Sequence, residues 1–64
     1  MSKASSLISS FNRTQDKKLI RIHTRQRAVD QHQTSGGIIY HFKDGSALID
    51  RRLVNEFQLF RGEL

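Results

Sequence analysis

The sequence predicts an α+β domain: a three-stranded antiparallel sheet packed on a C-terminal helix, with a short N-terminal helix as an option. Three observations predict it. Asp44-Gly45 stands between the apolar runs 38–42 and 47–49, the strongest short hairpin signature because both central turn positions need a positive φ. β-branched and basic residues alternate from Ile20 to Arg25. Leu53, Phe57 and Phe60 recur at intervals of four and three.

Residues 1–16 read as a flexible segment or a short helix. Leu7, Ile8 and Phe11 have helical spacing over about 4–12, but Ser5, Ser6, Ser9 and Ser10 compete for backbone hydrogen bonds. Residues 17–64 then form a single small domain. The stretch 17–29 reads as a strand in preference to a helix. It places Ile20, Ile22 and Thr24 on one face and Arg21, His23, Arg25 and Arg27 on the other. A helical reading survives in the spacing of Lys17, Arg21 and Arg25. Residues 30–37, polar and ending in Gly36-Gly37, read as a loop.

In the hairpin, a two-residue turn sets Phe42 opposite Ala47 and Tyr40 opposite Ile49. The core face is then Ile38, Tyr40, Phe42, Ala47 and Ile49, while Ile39 and Leu48 on the other face need cover. Residues 51–61 read as the closing helix. Asp50 is a suitable N-cap, Ile49 and Val54 match a hydrophobic staple, and Gly62 sits where a helix ends.

With 64 residues and 36% apolar content, the chain is one domain of marginal stability. It has no cysteine, and its three histidines lack metal-ligand spacing. Disulfide and thiolate staples are therefore excluded, a structural metal is disfavoured, and a homodimer is the remaining way to add buried surface. No apolar run approaches a membrane span, so the expected setting is cytoplasmic.

The net charge is +5 and unevenly placed. Residues 1–30 hold seven Lys and Arg against two acids, whereas residues 31–64 hold four of each. The basic stretch Arg13, Lys17, Lys18, Arg21, His23, Arg25 and Arg27 is the candidate nucleic-acid-binding site, with Arg51 and Arg52 as secondary contacts. Arginine suits the task because its planar fork reaches phosphates and guanine edges. Opposing this is a solvated or aggregation-blocking sheet face. Tyr40 and Phe42 have a spacing suited to stacking bases, but their face also carries Ile38 and Ile49, which assigns them to the core.

No catalytic residues, cofactor or metal are assigned. No Gly-rich phosphate loop, nucleophile elbow or paired-carboxylate motif is present. The expected function is a small nucleic-acid-binding regulator, of DNA or RNA, from a bacterium, phage or plasmid. The alternative is a protein-binding modulator that inhibits a host enzyme with an acidic surface. A weaker one is a ribonuclease toxin using His23 or His41 as neighbours on one sheet face. The order helix, three strands, helix resembles that of double-stranded RNA-binding domains and of small interferase toxins; the resemblance carries no motif across.

Overall fold

The structure, a computed structural model, describes residues 2–62. Its first helix, α1 (Lys3–Arg13), begins at Ser2, whose Oγ accepts the Ser5 N–H at 3.1 Å. Ala4, Leu7, Ile8 and Phe11 share the inward side, with Ala4 and Phe11 fully buried. The other free amides of its first turn are satisfied from afar. The Lys3 N–H donates to Asp44 Oδ2 at 2.8 Å and the Ala4 N–H to Ser46 Oγ at 3.1 Å.

Three residues later a second helix follows, α2 (Lys17–Arg27), capped by Asp16, whose Oδ1 accepts the Leu19 N–H at 3.1 Å. Ile20, Thr24 and Ala28, four apart, turn toward the core. Thr24 is completely buried, and its hydroxyl donates to the Ile20 carbonyl at 2.8 Å.

Four strands complete the chain: β1 (Asp30–Thr34), β2 (Gly37–His41), β3 (Ala47–Arg51) and β4 (Glu56–Arg61). They pair antiparallel in chain order. Tyr40, Leu48 and Phe57 lie on one face of the sheet and join Ala4, Phe11 and Phe42 in the core. α1 packs on this face against β3 and β4, and α2 lies against α1, reaching the core through Ile20 and the sheet through Arg21. The Phe11 and Phe57 rings stack at 3.9 Å. The opposite face carries Ile39, the His32 and His41 rings at 5.1 Å, and Phe60, which is half exposed.

This architecture corrects the expected three-stranded sheet on a C-terminal helix. In residues 17–28, Ile20, Thr24 and Ala28 turn to the core while Ile22, which a strand would place on the same face, is exposed, as a helical period requires. The β-branching of Ile20, Ile22 and Thr24 lowers helix propensity by tenths of a kcal/mol, which core burial of Ile20 and Thr24 outweighs. Residues 51–61 are a turn and a strand. Asn55 adopts φ 54°, ending any helical path, and the alternation from Phe57 to Phe60 then pairs with β3. Leu53, expected on a buried helical face, is 99% exposed in the turn.

Residues 30–34, expected as loop, form β1, whose five residues are all exposed. Its polar sequence shows no apolar alternation because neither of its faces is covered. With two leading helices and four strands, the order likened to double-stranded RNA-binding domains and interferase toxins is absent.

The hairpin turn lies where the sequence places it, but its register is shifted by one. Phe42 and Ser46 close a three-residue loop, with the Gly45 N–H donating to the Phe42 carbonyl at 3.1 Å and Gly45 at φ 89°. Tyr40 therefore faces Leu48 rather than Ile49. The slip turns Leu48 and Asp50 toward the helices and Ala47 and Ile49 to the opposite face, where Ala47 is still fully buried.

Candidate nucleic-acid interface

As a helix, α2 distributes its cations around its axis instead of aligning them on one strand face. Arg21 points toward the sheet. Its Nε donates to Asp50 Oδ2 at 2.9 Å, and its Nη2 donates to Asp50 Oδ1 at 3.2 Å and to Asn55 Oδ1 at 2.8 Å. The Asp50 carboxylate is completely buried, so this fork-shaped pair is a structural tie between α2 and β3. The Arg21 guanidinium also lies 5.0 Å from the Phe11 ring centre.

Lys17 is engaged too. Its Nζ donates to the Phe11 carbonyl at 2.6 Å and sits 4.4 Å from the Phe11 ring centre. It thereby meets the negative end of α1. Arg52 approaches Asp50 from the β3–β4 turn, with its Nε at 3.4 Å and its side chain 57% exposed. The structure thus brings together Lys17, Arg21 and Arg52 around Phe11 and Asp50, with one carboxylate among three cations.

Lys18 and Arg25 differ. Both are exposed, and neither makes an ion pair or hydrogen bond among the described residues. Seven residues apart, they lie nearly in line, about 10.5 Å apart along the helix axis. Ile22, 36% exposed, falls between them, and Leu19 at 45% beside them. The single acid bordering the helix, Asp16, is committed to its cap.

The remaining expected contacts are dispersed. Arg27 and His23 lie on the other flank of α2, where Arg27 Nη1 donates to the His23 carbonyl at 3.4 Å. Arg13, at the end of α1, donates to Ser9 O at 3.4 Å. Arg51 stands opposite Glu56 in the sheet and, next to the inward Asp50, points to the uncovered face. Tyr40 and Phe42 are 2% and 3% exposed and take no part in a stacking surface. His23 and His41 are not neighbours: His41 contacts His32 and Phe60 across the uncovered sheet face. Among the described residues no three His, Cys, Asp or Glu gather as a metal site. No helix of the structure is long and apolar enough to cross a membrane.

Sequence reasoning assigned Asp50 to a helix cap and missed its role. A signal for it was present, since Leu48 and Asp50 are two apart in a strand. If Leu48 faces the core, Asp50 does as well, and a buried carboxylate requires a cation. Compared with family models, curated proteins and solved structures, the chain matches none.

Proposed function

We propose that the protein binds nucleic acid through the exposed side of α2, with Lys18 and Arg25 as phosphate contacts. The observation that carries this reading is the charge of that helix. It has five Lys and Arg and no acid, and two of the five are left unpaired on one line. Lys17 and Arg52 add to the local positive field while holding the fold, and Arg21 is spent on Asp50. Because the contacts are mainly electrostatic, binding depends steeply on salt. The reading implies a cytoplasmic setting in which nucleic acid is accessible, and a regulatory rather than catalytic task.

Fluorescence anisotropy with a labelled duplex and a labelled single strand, over a salt series, tests it. Lys18→Ala/Arg25→Ala should weaken duplex binding and lower the log–log salt slope by about 2, since each lost phosphate contact removes about 0.9. Absence of binding by the wild type at low salt, or binding insensitive to salt, ends this reading.

A second reading, an acidic protein surface as partner, is favoured by Leu19 and Ile22. Ile22 lies exposed between the two cations and Leu19 beside them, a mixture suited to a protein interface. Ile22→Ser separates the two. It should abolish capture of a protein partner from nuclease-treated lysate while leaving duplex affinity nearly unchanged.

A further inference from the structure

The two edges of the sheet differ in how they meet solvent. Edge strand β4 carries Glu56 and Arg61 and a register shift, where Ala47 pairs with Arg61 and Leu48 with Leu59, leaving Phe60 as an extra residue. A bulge and charges are the usual devices that stop an edge from pairing with another chain. Edge strand β1, Asp30-Gln31-His32-Gln33-Thr34, has none of these devices at its centre. It contains no Lys, Arg or Pro, and it pairs with β2 without a shift over all five residues. Its one charge, Asp30, lies at the end, bonded to the Gln31 N–H at 2.8 Å and near His32 Nε2 at 3.4 Å.

The register also fixes which peptide groups face outward. Thr34 and Gly37 close a two-residue turn, Ser35-Gly36, and such a closing pair exchanges hydrogen bonds. By alternation His32 and Asp30 bond to β2 as well, so the N–H and C=O of Gln31 and Gln33 point away from the sheet. Nothing in the helix layer covers this strand. A depression of about 270 Å³ lined by Gln31, Gln33 and Ile38 lies beside it.

We propose that β1 is a dimerisation edge and that its occupant is β1 of a second copy of the chain. These outward groups select one antiparallel register, in which the Gln31 N–H exchanges its 2.8 Å bond to Asp30 Oδ1 for one to the second copy. Gln31 pairs with Gln33 of the second copy and the reverse, giving four backbone hydrogen bonds about a two-fold axis at His32. The pairing is isologous, as a two-fold dimer requires. It sets Asp30 opposite Thr34 of the second copy, so the two Asp30 carboxylates do not face each other, and His32 stands opposite its own counterpart. The result is one eight-stranded sheet with both helix layers on the same side. Two Lys18–Arg25 surfaces are then presented in one direction, although the edge pairing itself does not depend on the nucleic-acid reading. The strand contact is short, so the association is weak, with a dissociation constant on the order of 100 µM.

Sedimentation velocity across a concentration series, combined with amide hydrogen exchange, tests the proposal. The mass should double from 7.4 kDa as concentration rises. The Gln31 and Gln33 amides should become protected in step, while the His32 amide is protected throughout. Gln31→Lys/Gln33→Lys, at two exposed positions, should keep the circular dichroism spectrum and remain monomeric, because it places like charges directly opposite one another. A wild type that stays monomeric at millimolar concentration overturns the proposal. So does a dimer that persists in the double variant, or one that forms while the Gln31 and Gln33 amides exchange freely.

Discussion

Replacing Arg21 with alanine should cost more than any other single change on the surface of α2. The substitution leaves the Asp50 carboxylate completely buried, with Arg52 Nε at 3.4 Å as its remaining ion-pair partner among the described residues. Removing one side of a buried pair costs about 3–5 kcal/mol, and the residual Arg52 contact points to the lower end, about 3 kcal/mol. Loss of the ring contact to Phe11 adds about 0.5–1 kcal/mol. A domain of this length has about 3–10 kcal/mol in total, so Arg21→Ala removes a third of the stability or more. Urea unfolding followed by circular dichroism measures the change. The variant Arg21→Met/Asp50→Leu should recover most of it, because an apolar replacement leaves no orphaned charge. A loss below about 1 kcal/mol for Arg21→Ala, the size expected of an exposed pair, refutes the assignment of Arg21 as a structural tie.

Three further outcomes are expected. Gly37→Ala should destabilise by at least about 2 kcal/mol in thermal unfolding, since overpacking against fixed backbone and a positive φ add; its Cβ would overlap the Asp50 carbonyl oxygen, at φ +143°. Gly36→Ala, whose nearest atom would be 3.8 Å away, should be close to neutral in the same assay. Acid sensitivity should fall on the hairpin. Hydrogen bonds from the Ser46 hydroxyl, the Lys3 amide and the Ser46 amide hold the Asp44 carboxyl down from 3.8 to about 2. Its contribution is therefore present above pH 3.8 and lost as pH falls from 3.8 toward 2, and Asp44→Asn should flatten the fall in urea midpoint over that window.

Legibility of the fold in the sequence varied with how local its causes are. Asp44-Gly45 located the hairpin turn because its cause is a backbone angle at Gly45. Register escaped, since a three-residue loop and a two-residue loop use the same residues and differ only in which pair closes them. The segment from Arg51 to Gly62 satisfied a cap, a staple and a C-terminal glycine, yet Phe57 and Leu59 also fit a period of two. Pairing with β3, a long-range interaction, decided between them. For residues 17–27 the reverse held: β-branching suggested a strand, while Ile20, Thr24 and Ala28 met the core as a helix. The strand β1 left no trace because an uncovered strand needs no apolar alternation.

The candidate surface was legible in type and partly in position. Clustering of cations in the first half showed in the composition. Which of them stay free did not, because Lys17, Arg21 and Arg52 are engaged by Phe11 and Asp50, residues brought to them only by folding. His23 and Arg27 separated from Arg21 and Arg25 once the period changed from two to 3.6.

The central claim is that α2 presents a nucleic-acid contact surface distinct from the cations that hold the fold. Titration of the labelled protein with a short duplex, followed by amide chemical shifts, tests it most directly. Changes should centre on Lys18, Ile22 and Arg25 and leave the uncovered sheet face unmoved. Changes centred instead on His32, His41 and Phe60, with α2 silent, would contradict it.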